Sequence, residues 1–110
     1  MSAVVVTAVF TPLPGRRDEL VGALRAGIEA THAERGCLLY AIHDADDGTI
    51  TMIEKWATRS DLDAHATGEA IAIVQRDTAG LLAGPVAVTT MMPLPVGNAD
   101  RGVLAHGATA

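Results

Sequence analysis

Two residues in the middle of the chain could do chemistry together: Trp56, the only tryptophan, and His65, with Glu54 two positions before the tryptophan. A histidine has an ordinary pKa of about 6.5, so it can take up or release a proton near neutrality. Tryptophan offers a broad, flat, apolar face. On a strand, side chains two apart point the same way, which puts Glu54 on the face of Trp56. Whether this is a site depends on Trp56 and His65 bordering one pocket.

Each of these residues also has a plain structural reading. Trp56 can be a filler of the core or of a dimer interface. His65 can be a core imidazole satisfied by a strand carbonyl. Glu54, among apolar neighbours, must be paired or hydrogen-bonded, and an ion pair across a dimer would satisfy it. Tyr40 shares a strand face with Leu38 and Ile42 and can be core. Cys37 reads as a small buried apolar residue, not a nucleophile. His43 and His32 read as solvated edge positions, and His106 lies in the tail. No two histidines have the spacing of helical metal ligands, so no metal site is expected.

The elements that must position these residues follow from periodicity. Residues 3–11 are β-branched and almost wholly apolar, the pattern of a strand buried on both faces, and Pro12 and Pro14 end it. A helix is predicted from Gly15, with Asp18 and Glu19 in its first turn, an apolar face of Leu20, Val21, Leu24 and Ile28, and a stop at Gly36. Residues 37–44 read as a second strand. Asp46-Asp47-Gly48 reads as a hairpin turn and residues 49–57 as a third strand, with Ile50, Met52, Glu54 and Trp56 on one face. Ser60 is the predicted N-cap of a short helix, with Asp63 in the capping-box position, and Leu62, His65 and Ala66 share one side. After a break at Thr67-Gly68, a second helical segment is predicted to about Leu82, with Ile71, Val74, Thr78, Leu81 and Leu82 inward. Residues 86–92 read as a fourth strand, apolar on both faces. From Pro93 the chain has no period and reads as an extended arm or a disordered tail. Residues 1–95 thus form one domain and 96–110 the arm.

The predicted fold is α+β: a ferredoxin-like β-α-β-β-α-β order with a four-stranded antiparallel sheet. Helices cover only one face of such a sheet, yet the first and last strands are apolar on both. A bare apolar face is rare on a soluble monomer, so a two-fold homodimer, sheet against sheet, is expected.

Composition narrows the partners. Apolar residues make up 49% of the 110, enough for a real core, and aromatics only 3%, so that core is aliphatic. A net charge of −5, with basic residues scattered, speaks against nucleic acid. A single cysteine rules out an internal disulfide and suits a reducing, cytoplasmic setting. The apolar start lacks a basic n-region, so no signal peptide is expected, and no apolar run approaches the roughly 20 residues of a membrane span.

Glu34-Arg35-Gly36-Cys37 and Tyr40 at the second strand, then Glu54-Lys55-Trp56, then Ser60-Asp61-Leu62-Asp63-Ala64-His65, together resemble the antibiotic biosynthesis monooxygenase family of dimeric α+β barrels. The likeness covers about residues 3–95. The tail from Pro95-Val96-Gly97 to Gly102-Val103-Leu104 resembles the carboxy-terminal arms of some actinobacterial-type members. The resemblance implies oxygenation of a small hydroxylated aromatic or quinol by dioxygen, without metal, flavin or haem. It implies His65 as the base, Trp56 as a wall for the ring, and Tyr40, Glu54, Leu62 and Glu69 as substrate contacts. Many members carry a second histidine where this chain has Gly68-Glu69-Ala70; Glu69, four residues after His65, is the candidate substitute. Two other functions suit the same fold. One is a non-catalytic dimer that binds small molecules or serves under stress. The other is haem degradation, which in similar proteins uses an Asn on the first strand, where this chain offers Thr7 and no Asn.

Overall fold

The computed structural model describes residues 3–105. Its elements are β1 (Val4–Phe10), α1 (Arg17–His32), β2 (Cys37–Asp44), β3 (Ile50–Trp56), α2 (Arg59–Ala66), α3 (Glu69–Thr78) and β4 (Ala87–Met91). The four strands form one antiparallel sheet in the order β2-β3-β1-β4. This is the ferredoxin-like arrangement expected, with the second helix in two pieces.

Strand alternation decides what faces the helices. Along β1 the buried residues are Val4, Val6, Ala8 and Phe10, while Val5, Thr7 and Val9 between them are half-buried. Within the single chain α1 and α3 cover one face only, so β1 is buried on that face and half-buried on the other. On β3 the helix side carries Ile50, Met52, Glu54 and Trp56, as the alternation predicts, and all four are buried. The β2–β3 hairpin closes through Gly48 at φ +89°, with Asp47 Oδ1 accepting from the Thr49 backbone N–H at 3.0 Å and its hydroxyl at 2.6 Å. Glycine tolerates that left-handed backbone without strain.

Helix α1 begins two residues after Gly15, which sits in the preceding turn at φ +76°. It ends at His32, and Gly36 (φ +79°) serves the entry to β2 instead of the helix stop. The buried stripe of α1 is Leu20, Leu24, Gly27 and Thr31. At Gly27 a Cβ would run into the Val74 side chain, so the glycine lets α1 and α3 approach closely. The buried hydroxyls bond inward: Thr31 to the Gly27 carbonyl at 2.8 Å and Thr78 to the Val74 carbonyl at 2.7 Å.

The cap of α2 is Thr58, not Ser60. Its hydroxyl accepts from the Asp61 backbone N–H at 3.1 Å, and the helix starts at Arg59. Thr58 to Asp61 repeats the capping-box spacing two residues earlier, because β3 ends at Trp56 and leaves the chain ready to turn. Helix α3 stops at Thr78, short of Leu82, where Gly80 turns the backbone at φ +82°. Leu82 instead bridges to Pro12. All five residues of β4 are exposed. From 92 onward the described chain holds no helix or strand, and it returns to the sheet's outer face, where Lys55 Nζ donates to the Leu104 carbonyl at 2.6 Å. His106 lies outside the described residues. Among those described, no helix is long and apolar enough to cross a membrane.

Candidate active site

A cavity of about 510 Å³ lies between the helix-facing side of the sheet and helices α2 and α3. Its body is apolar: Phe10, Ile71, Val74, Leu82 and Val86 are among its walls. At one end three groups able to handle protons converge, Tyr40 from β2, Glu54 from β3 and His65 from α2. Arg59 and Asp63 of α2 also line it.

His65 is 5% exposed, and its Nδ1 lies 2.6 Å from Glu34 Oε1. A carboxylate only accepts, so Nδ1 carries a proton, and in the neutral imidazole Nε2 is then the acceptor. Among the described residues Nε2 has no hydrogen-bond partner. Glu34 approaches through the α2–α3 joint: its Oε2 would stand 3.2 Å from a Cβ at Gly68. The break between the two helices therefore makes room for the acid that holds the histidine.

Trp56 is fully buried, and its Nε1 donates to Glu54 Oε1 at 3.0 Å. Its ring packs on His65 with centroids 4.6 Å apart and planes 34° apart. Tyr40 meets His65 edge-on at 5.4 Å and Trp56 at 6.5 Å. These contacts fix the imidazole on one side by a carboxylate and on the other by two rings.

Burial raises the Glu54 carboxyl above its ordinary value, opposed by the Trp56 N–H and by His65. Burial also raises the Tyr40 hydroxyl, with the Glu54 charge adding to it, so Tyr40 stays a neutral hydroxyl at physiological pH. The Cys37 thiol is pushed up to about 11, by burial first and then by Glu34 and Glu54, so it is not a nucleophile near neutrality.

A family model described as antibiotic biosynthesis monooxygenase matches residues 3–76. The chain belongs to the antibiotic biosynthesis monooxygenase family. It is 36% identical over 99 residues to "Putative monooxygenase Rv0793" of Mycobacterium tuberculosis, across 89% of this chain and 98% of that protein. The structure of Rv0793 matches with a TM-score of 0.78 at 35% identity, covering 88% of this chain and all of that one (100%). PA3566 from Pseudomonas aeruginosa matches with a TM-score of 0.75 at 29% identity, over 86% of this chain and 96% of that one.

For this antibiotic biosynthesis monooxygenase family member, the structure brings Tyr40, Glu54, Leu62 and His65 onto one cavity. Trp56 is not among the lining residues. It stands behind Glu54 and His65 with no exposed area, so it offers no flat wall to a ring. Glu69 is exposed at the start of α3 and does not line the cavity; the acid on His65 is Glu34. Among the described residues Glu54 forms no ion pair, and its Oε1 accepts from the indole N–H. His32, read as a solvated edge residue, holds the Tyr40 carbonyl through Nε2 at 2.9 Å. The Glu34–His65 pair spans 31 positions, and no periodic signal in the sequence links them. Among the described residues no group of three or more His, Cys, Asp or Glu could hold a metal ion.

Proposed function

We propose that the protein oxidises a small hydroxylated aromatic of quinol or anthrone type with dioxygen, using its own side chains and no bound cofactor. The observation that carries this is a carboxylate-held histidine on the wall of a largely apolar cavity. About 510 Å³ is the size of an ordinary small-molecule site and accommodates a ring system. With Nδ1 committed to Glu34, His65 takes the hydroxyl proton at Nε2. The electron-rich anion then gives an electron to dioxygen, and the pair collapses to a peroxide that loses water to leave a quinone. Tyr40, kept neutral by burial, donates a hydrogen bond to a substrate oxygen, and Leu62 packs on the ring.

The test is oxygen uptake with a panel of hydroquinones and anthrone-like compounds, on protein stripped with a chelator. Wild type should turn over and His65→Ala should lose about 100-fold or more. Turnover that His65→Ala keeps would overturn the assignment. Tight binding with no uptake across the panel would mark a non-catalytic binding protein instead.

The working form in this proposal is a homodimer paired through the outer sheet face. Support comes from the apolar side chains there, Val5, Val9, Ile53 and Met91, on a sheet whose helices sit on the other side. Light scattering should give twice the chain mass, and Met91→Asp should shift it toward the monomer.

A further inference from the structure

We propose that Glu54 is a second proton-transfer residue of this site, and that Trp56 is its positioning residue. The inference rests on the oxygenase reading above. It starts from an arrangement that reading leaves unused: a carboxylate only 5% exposed, on the wall of an apolar cavity, with Oε1 held by the Trp56 N–H at 3.0 Å. Among the described residues its other oxygen has no partner. A buried carboxylate with an open oxygen is costly unless something pairs with it, and the space beside it is the cavity.

The surroundings of Glu54 come from every side. On β2 stand Tyr40, directly paired across the sheet, and Cys37. On α2 stand His65, Arg59 and Asp63, with Glu34 behind the histidine. On β1 Val6 is its neighbour, and beyond it on β4 lies Thr90. Two proton carriers therefore share one end of the cavity, in unlike settings: His65 beside an acid, Glu54 against an indole and aliphatic walls. A carboxyl held against apolar walls can give up a proton, and an imidazole whose Nδ1–H is tied to Glu34 can take one at Nε2, so the two can divide the acid and base roles.

The reaction needs both. The substrate hydroxyl gives its proton to His65. The anion passes one electron to dioxygen, and the resulting radical and superoxide combine, forming a C–O bond at a ring carbon that still bears hydrogen. Glu54, as the carboxylic acid, protonates the outer peroxide oxygen. Its carboxylate then removes the hydrogen on that carbon; the C=O bond forms and the O–O bond breaks. The departing hydroxide takes the proton stored on His65 and leaves as water. Substrate and dioxygen have become quinone and water, and both side chains are back in their starting states. The acid-x-Trp spacing gains a reason: two residues apart on one strand face, the indole N–H reaches back to hold one carboxyl oxygen and leaves the other for substrate.

The chain has a single tryptophan, bonded to Glu54, so its emission reports the protonation of that carboxyl without any substrate. In wild type the emission should change with pH in a step that lies above the ordinary carboxylate range, and Glu54→Gln should remove it. On the hydroquinone panel Glu54→Gln should lower kcat about 100-fold with little change in KM. Trp56→Phe removes the N–H that favours the charged carboxylate, so the limb of the pH–rate profile assigned to Glu54 should move to higher pH. A residue with only a structural role would not move that limb. If wild type and His65→Ala behave as the oxygenase reading requires but Glu54→Gln keeps its kcat and pH profile, the Glu54 role is overturned alone. An emission titration that Glu54→Gln leaves unaltered overturns it as well. Absence of uptake in wild type defeats the oxygenase reading itself.

Discussion

The site contains two acid–ring pairs, and they are built in opposite ways. Glu54 and Trp56 sit two residues apart on one strand face, buried, joined at 3.0 Å. Glu34 and His65 come from the loop before β2 and from α2, joined at 2.6 Å, with the Glu34 side chain still 24% exposed. In the first pair the ring cannot ionise and the acid faces the cavity. In the second the ring faces the cavity and the acid stands behind it. A fixed donor behind a carboxylate and a fixed acceptor behind an imidazole thus give one wall two titratable side chains held in different ways.

The comparison breaks most severely at the buried ring. Trp56→Ala removes a fully buried indole with its contacts to Glu54, His65 and Tyr40, and should cost about 3–5 kcal/mol of stability by denaturant titration followed by circular dichroism. Glu34→Ala leaves the Nδ1–H of a buried histidine without its partner and should cost roughly 1–3 kcal/mol. It should also lower oxygen uptake while leaving the Glu54–Trp56 pair, read by tryptophan emission, intact. A smaller effect sharpens the contrast through pH. Burial raises the Glu54 carboxyl above its unfolded value, so its contribution to stability is fully present below pH of about 4.3, the ordinary Glu value, and is lost as pH rises through the folded value. Glu54→Gln should therefore gain stability relative to wild type as pH rises through that window, which paired denaturation curves at several pH values would show. The smallest change lies outside both pairs. Thr58→Ala loses the cap that starts α2, costs about 1 kcal/mol, and frays the turn that carries Leu62 and His65 into place.

How much of this was legible in the sequence differs between the pairs for a physical reason. The Glu54–Trp56 face follows from the two-residue period of a strand, and its inward direction from the apolar Ile50 and Met52 beside it. The Glu34–His65 bond follows from no period. It depends on how far α2 leans over the end of β2, and on Gly68 leaving space for the carboxylate. Sequence spacing favoured Glu69, four residues along a notional helix, but the chain breaks at Gly68 and Glu69 begins a new helix facing solvent. The inward direction of Trp56 was readable, yet its distance from the cavity was not, because Glu54 and His65 fill the space in front of it. The cap of α2 was misplaced by two residues because Thr58 and Ser60 both have capping chemistry, and only the end of β3 chooses between them.

By itself, then, the sequence determined the order of elements, the helix-facing side of β3 and the family, because these rest on local periodicity and on residue types at fixed spacing. The tertiary structure alone decided which acid holds His65, that Trp56 lies behind Glu54, and that Glu54 and His65 border one end of an apolar cavity. Those outcomes depend on the approach of elements far apart in the chain, and approach is set by packing, which local spacing does not encode.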